Sequence, residues 1–198
     1  MKILHLISSS RGGASNSLQL GNAIVEKLTA VHAGSTVITH DLTATPFPHL
    51  EEVHLQSFFT PAEARTPELT AAVQHSDEAI AELKAADILV IGVPMYNFSI
   101  PSALKSWIDH IARAGQTFSY SEKGPEGLVK GKKVYLAVAT GGVYSEGMMK
   151  GFDFTAPYLQ SVLGFMGMTD VTVIRAEGLN MPGLKEQALE KAIAGIVL

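Results

Sequence analysis

Three short stretches of this chain carry side chains able to bind a ligand or support chemistry. Ser8-Ser9-Ser10-Arg11-Gly12-Gly13-Ala14-Ser15-Asn16-Ser17 gathers five serine hydroxyls, the Asn16 amide and two glycines directly ahead of a helical pattern. A helix N-terminus presents free N–H groups and a partial positive charge, so this stretch can cradle an anion such as phosphate. The plainer alternative is a serine-rich loop that only caps its helix. Neither GxGxxG nor GxxxxGK[ST] is present, and without the P-loop lysine a nucleotide triphosphatase is disfavoured. The second stretch, Pro94-Met95-Tyr96-Asn97-Phe98-Ser99, sets a thioether, two aromatics and an amide just past an apolar run. Such groups suit a flat conjugated ligand, with apolar contacts on its faces and Asn97 on its polar rim. They would equally suit an aromatic cluster closing the core. The third, Ala139-Thr140-Gly141-Gly142-Val143-Tyr144, has paired glycines that let a ligand approach the backbone, or simply make a turn.

Periodicity sets the strands and helices that flank these stretches. Lys2 to Ile7 is nearly continuous in apolar residues and reads as a strand buried on both faces, which points to a parallel sheet. Ser17 to Val31 has apolar residues at helical spacing. Thr36 to Thr39 is β-branched and reads as the second strand. Residues 42 to 66 hold Pro46, Pro48 and Pro61 among scattered aromatics, an excursion without a regular element. Thr66-Pro67-Glu68 opens a helix to about Ala86, with a hydroxyl cap and Pro in its first turn. Asp87 to Val93 is the strongest strand, ended by Pro94. A helix is expected from Ser99 to Ala112 with Pro101 in its first turn, then an extended arm with a turn over Gln116 to Leu128. Lys133 to Ala139 is a strand, Pro157 to Met166 a helix, Asp170 to Ala176 the fifth sheet strand, and Leu184 to Val197 a last amphipathic helix.

Five strands alternating with helices imply an α/β fold, doubly wound, with helices on both faces of a parallel sheet. Five strands fit the order 2-1-3-4-5, which brings the first, third and fourth strands side by side and their loops to one edge. The chain is expected to form a single domain over 1–198, with excursions at about 42–66 and 113–132.

Composition removes several functions. With 198 residues, 46% hydrophobic, the chain can bury a sizeable core, and a net charge of −4 without a basic run disfavours nucleic acid. There is no cysteine, so thiolate nucleophiles, disulfides and dithiol redox chemistry are absent and any redox function must borrow a cofactor. No apolar run approaches the roughly 20 residues of a membrane span. The short Ile3–Ile7 run is no signal-peptide core, so a cytoplasmic protein is expected. His5 lies inside the first strand with no companion at ligand spacing and reads as a core histidine, and no metal is expected.

Taken together, SSxxxxxSNS, PMYNFSIPSALKSWIDHIARAGQTFSY, GPEGLVKGKK and the ATGG loop resemble the FMN-dependent NADH-azoreductases, also called quinone reductases, of the flavodoxin-like superfamily. The resemblance spans nearly the whole chain. It implies tightly bound FMN, NADH or NADPH as co-substrate, a homodimer with the flavin near its interface, and ping-pong transfer of two electrons to quinones or azo compounds. By position it assigns Ser9, Ser15, Asn16 and Ser17 to the FMN phosphate. Pro94, Met95, Tyr96, Asn97 and Phe98 fall along the isoalloxazine and ribityl chain, and Ala139, Thr140, Gly141 and Gly142 at the pyrimidine edge. Relatives often carry Ser-Arg-Gly-Gly there, so Ala139 and Thr140 depart from the pattern. Tyr144 stands where some relatives have His. Phe118, Tyr120 and Phe165 match aromatics on the substrate side, or else pack at a dimer interface or in the core. No catalytic acid, base or triad is assigned, because the flavin carries the hydride chemistry. Two other classes stand beside this one: a flavodoxin-type electron carrier, disfavoured by the long excursions and modest charge, and a phosphate-binding hydrolase, disfavoured by the lack of a nucleophile and base in motif form.

Overall fold

The computed structural model describes residues 1–198. Its elements, in chain order, are β1 (Lys2–Ile7), α1 (Asn16–Val31), β2 (Thr36–Asp41), α2 (Glu52–Phe59), α3 (Pro67–Ala85), β3 (Ile88–Pro94), α4 (Ser102–Ile111), β4 (Phe118–Ser121), β5 (Gly124–Gly127), β6 (Lys133–Ala139), α5 (Ala156–Phe165), β7 (Asp170–Ala176) and α6 (Ala188–Ala194). Five strands form one sheet in the order β2-β1-β3-β6-β7, and β4 pairs with β5 as a separate antiparallel hairpin. Every pair in the main sheet is parallel. Counting sheet strands alone, this is the expected order 2-1-3-4-5.

Successive strand side chains point to opposite faces, and the buried residues divide accordingly. Leu4, Leu6, Leu89, Ile91, Val93, Val134, Leu136 and Val138 join Ile80 and Leu83 of α3, Leu104 and Trp107 of α4 and Leu159 of α5 in one core. Ile3, Ile88, Val90, Tyr135, Ala137 and Ile174 pack with Leu20, Ile24 and Leu28 of α1 and with Ile193 of α6 in the other. His5 points toward α1, 2% exposed. A methyl group at Gly21 would lie 2.8 Å from its Nε2, so the glycine makes room for the ring.

Burial lowers the pKa of His5 from 6.5 to about 4. The unfolded chain therefore binds a proton that the folded chain refuses between those values, so stability falls as pH drops through that window. From pH 7 to 5 the loss from this one residue is about 2 kcal/mol. His110, held below its ordinary value chiefly by burial and further by His54 and His75, adds to the same trend. Urea unfolding of His5→Leu should show a smaller pH dependence than the native chain, and an identical one would return His5 to solvent.

Three elements differ from expectation. Residues 42–66 contain α2. It is held by a reciprocal cap in which Glu51 accepts from the N3 backbone while the Glu51 N–H donates to His54 Nδ1 at 3.0 Å. Histidine replaces the usual Glu or Gln of a capping box, which hides the signal. His54 and Phe58 then pack on the His110 ring at 5.1 and 6.0 Å. Helix α4 begins at Ser102, not Ser99, with Pro101 as its N-cap at ψ 147. Proline disfavours helical backbone in the residue before it, so Ile100 cannot begin a helix. The last helix covers only Ala188–Ala194 instead of Leu184–Val197. Its expected first turn is diverted because Leu184 packs against Gly178, where a Cβ would come within 2.9 Å of it.

Candidate functional site

Parallel strands in this order put the carboxyl ends of β1, β3 and β6 side by side, so the three stretches meet at one edge of the sheet. Glycine at 92 in β3 lets the start of α1 approach closely: a Cβ there would lie 3.2 Å from the Ser17 carbonyl oxygen.

The serines of the first loop divide by role. Ser8 Oγ donates to the Gly92 carbonyl at 2.7 Å and stitches the loop to β3. Ser9 Oγ stands 3.3 Å from the Tyr96 hydroxyl, joining the first loop to the second. Ser15 is the N-cap of α1, its Oγ accepting from the Leu18 N–H at 3.2 Å and lying 3.0 Å from Ser17 Oγ. Ser9, Ser15 and Ser17 are all buried, whereas Ser10 is exposed. Asn16 is the first residue of α1, and its N–H and that of Ser17 have no intrahelical acceptor. Buried hydroxyls and a helix N-terminus thus converge in one place.

In the second loop Tyr96 and Ser99 exchange backbone hydrogen bonds of 2.9 and 3.0 Å around Asn97 and Phe98. Both central residues have positive φ, 48° and 70°. That is the backbone of a type I′ turn, whose second position ordinarily takes glycine. Phenylalanine there carries strain of roughly 1–3 kcal/mol, of the kind retained at binding sites. Phe98→Gly is expected to leave urea stability within about 1 kcal/mol of native, because glycine adopts positive φ freely. Phe98→Val should fall below Phe98→Gly by about 1–2 kcal/mol, since a β-branched residue is worst placed there. The reverse order would show that the turn is not left-handed in solution. The Phe98 carbonyl accepts the Phe154 N–H at 3.1 Å, and its ring lies 6.3 Å from Tyr144 and 5.5 Å from Phe152. Behind this loop a cavity of about 500 Å³ is lined by Tyr96, Asn97, Ser99, Lys105 and Tyr158 among others.

The third loop is zipped to the segment after β7. Carbonyls of Thr140, Gly141 and Gly142 accept the N–H groups of Leu179, Asn180 and Gly178 at 3.1, 2.9 and 3.0 Å, and the Thr140 N–H donates to Ala176. Thr140 Oγ1 donates to Gly142 within its own loop at 2.8 Å, and the Ala139 carbonyl takes the Met95 N–H. The hydrogen-bonding groups of Thr140 and the Ala139 carbonyl are therefore engaged inside the protein, whereas the Gly141 and Gly142 N–H groups have no acceptor in the chain. A Cβ at Gly141 would lie 2.6 Å from Asn180 Nδ2, and one at Gly142 would lie 3.2 Å from the Tyr144 ring. Tyr144 is held from behind by its N–H donating to Glu177 at 2.8 Å. Glu177 and Asn180, on the loop after β7, belong to the same edge. The strand order was the only sequence signal pointing to them.

One property unites the three loops. The N–H groups of Ser9, Ser10, Asn97, Phe98, Gly141, Gly142 and Val143 donate to no backbone or side-chain acceptor in the chain. They form a set of donors at one sheet edge, beside the apolar side chains of Met95, Tyr96 and Phe98. No carboxylate or imidazole is among these loop residues to act as a general base.

Phe118, Tyr120 and Phe165 do assemble, with ring centroids 5.6 Å apart for Phe118–Tyr120 and 4.5 Å for Phe118–Phe165. Phe165 ends α5, five residues before β7 begins, so this cluster sits at the amino-terminal edge of the sheet. The chain does not bring these three to its own loops.

A family model described as the flavodoxin-like fold matches residues 1–197. The FMN-dependent NADH:quinone oxidoreductase of Herminiimonas arsenicoxydans is 51% identical over 193 residues, covering 98% of this chain and 93% of that protein. This chain belongs to that oxidoreductase family. The enzyme of the same name from Mesorhizobium japonicum is 49% identical over 197 residues, covering 99% and 94%. Among solved structures, an azoreductase from Bacillus anthracis superposes with a TM-score of 0.91 at 31% identity, covering 98% of this chain and 95% of that one.

Proposed function

We propose that this chain transfers two electrons from NADH or NADPH to quinones and azo compounds, with FMN as its resident cofactor, by a ping-pong scheme. The observation that carries the reading is the set of unclaimed N–H donors on three adjacent loops, flanked by buried serine hydroxyls at one end and aromatics along the side. FMN fits that donor set: its phosphate needs hydroxyls and a helix N-terminus, and its ring needs apolar walls and donors at a polar rim. Ser9, Ser15, Asn16 and Ser17 would hold the phosphate. Pro94, Met95, Tyr96, Asn97 and Phe98 would lie along the ring and ribityl chain, and Gly141 and Gly142 would donate at the pyrimidine edge, with Tyr144 closing that side. When bound, FMN supplies the acceptance and release of hydride. The chain's part is to orient the nicotinamide and then the acceptor against one open face, and to exclude water.

We further read residues 1–198 as one doubly wound domain that acts as a homodimer in the cytoplasm, where its nicotinamide donor is available. Exposed Phe152 and Phe154 beside Phe98 form an apolar rim that a second copy would cover, and the aromatic hairpin around Tyr120 is exposed and remote from its own loops. On this reading Phe118, Tyr120 and Phe165 serve the partner's substrate wall. No helix is long and apolar enough to cross a membrane.

The test is optical. The purified protein should be yellow, bleach with NADH or NADPH in the absence of oxygen, and recover its colour when a quinone is added. A colourless protein that takes up no FMN would sink the reading. A yellow protein that neither nicotinamide reduces would favour an electron carrier.

A further inference from the structure

Asp153, Arg175 and Glu177 lie on none of the three loops, yet they tie the second to the third. Arg175 Nη2 donates to Asp153 Oδ2 at 2.6 Å, and Nη1 lies 3.6 Å from Glu177 Oε1. The side chains are 5%, 21% and 13% exposed for Asp153, Arg175 and Glu177 respectively. From one end of this chain of charges, Asp153 Oδ1 accepts the Thr155 and Ala156 N–H groups at 2.9 and 3.2 Å. That fixes the start of α5 and, with it, the Phe154 N–H that holds the Phe98 carbonyl in its strained turn. From the other end, Glu177 Oε1 accepts the Tyr144 and Ser145 N–H groups at 2.8 and 3.0 Å, and its second oxygen accepts the Ser145 hydroxyl. That sets the Tyr144 ring over Gly142 and edge-on to Phe98.

Burying ion pairs is a poor way to gain stability, because desolvation offsets most of the attraction. A largely buried carboxylate–guanidinium–carboxylate row is better explained by what it orients. We propose that Arg175, acting through Asp153 and Glu177, is a positioning residue for the flavin site, setting the separation between the Phe98 turn and the Tyr144 loop. The inference rests on the flavin reading above for its ligand, but the tie itself exists in the protein without one.

The test compares Arg175→Met with a charge-free triple variant, Asp153→Asn/Arg175→Met/Glu177→Gln, which leaves no unpaired buried charge and keeps an oxygen for each N–H. A third protein, Leu83→Ala, loses a buried contact in α3 far from the loops and controls for general destabilisation. Without flavin, amide exchange at Tyr144, Ser145 and Phe154 should quicken by about tenfold or more in Arg175→Met and stay near native in Leu83→Ala. With FMN, quenching of flavin fluorescence should report a Kd raised about tenfold in Arg175→Met, at a temperature where circular dichroism shows all proteins folded. Arg175→Lys should recover part of both effects. If Arg175→Met does not fold, the triple variant stands in its place, with faster exchange and weaker FMN expected. Unchanged exchange in the folded variant overturns the proposal, as does equal weakening of FMN by Leu83→Ala. If the native chain takes up no FMN, the flavin reading fails while the exchange data still judge the tie.

Discussion

Ser15→Asp should leave the fold intact and abolish useful FMN binding. Aspartate caps a helix as well as serine does, so the hydrogen bond to the Leu18 N–H survives and α1 keeps its start. The change that matters is charge. Ser15 is 2% exposed and its hydroxyl lies 3.0 Å from that of Ser17, so a carboxylate there would face the bound phosphate across a gap with little water to screen it. Like charges opposed in a desolvated interface cost several kcal/mol, which corresponds to a Kd raised by roughly 100-fold or more. Thermal unfolding of the flavin-free protein should move by no more than a few degrees, since the acceptor-free N–H groups of Asn16 and Ser17 and the positive end of α1 offset the cost of the buried carboxylate. A Ser15→Asp protein that is still yellow after gel filtration would show that the phosphate lies elsewhere. Ser15→Ala gives the complementary result: without the cap the flavin-free protein loses about 1 kcal/mol, and phosphate binding weakens only by the loss of one hydroxyl.

The largest effect on stability is expected at Gly127. This last residue of β5 touches the turn between α5 and β7 backbone to backbone, and a Cβ built on it would fall 2.2 Å from the Gly167 nitrogen and 2.4 Å from the Met166 carbonyl carbon. The contact is sealed by the Val129 N–H donating to Met166 at 2.9 Å, and Gly167 itself has φ 103°. No side-chain rotation relieves a clash between two main chains, so Gly127→Ala must push the hairpin off the turn. That separates Phe118 from Phe165 and opens the backbone bond, at a cost of about 3 kcal/mol or more. Urea unfolding would measure it. A loss below about 1 kcal/mol would mean that the hairpin detaches at almost no cost and is not docked in solution. On the proposed dimer the same substitution should also slow turnover with quinones, because the aromatic cluster carried by the hairpin would no longer be held in place.

Most of the sheet was legible in the chain, and the reason is physical. KILHLI, DILVIGV and KVYLAVA are apolar on consecutive residues because both faces of a parallel strand are covered, and that is a property each segment carries alone. Alternation with helices and right-handed crossovers then leaves few strand orders, and the loops after β1, β3 and β6 come to one edge as a consequence. Helix α2 was not legible, because its cap uses His54 where a carboxylate or amide is usual and its burial depends on His110, which arrives from α4. The last helix is shorter than its periodicity predicts because Leu184 has helical spacing with its successors but packs on Gly178 instead.

What the residues determined by themselves is the chemistry at hand: hydroxyls ahead of a helix, an aromatic loop with an amide, paired glycines, and no thiol. Which of those groups are free depends on contacts between segments far apart in the chain. Ser8 and Ser15 look alike in the chain, yet Ser8 is spent on Gly92 and Ser15 heads a helix. Thr140 looks like a ligand and is used to brace its own loop, while the Gly141 and Gly142 N–H groups remain without acceptors. Whether a donor is available depends on which acceptors reach it, and these lie as near as Gly142 does to Thr140 or as far away in the chain as Gly92 is from Ser8. The same is true of Asp153, Arg175 and Glu177, unremarked in sequence and joined only when β7 and the start of α5 meet at the sheet's carboxyl edge.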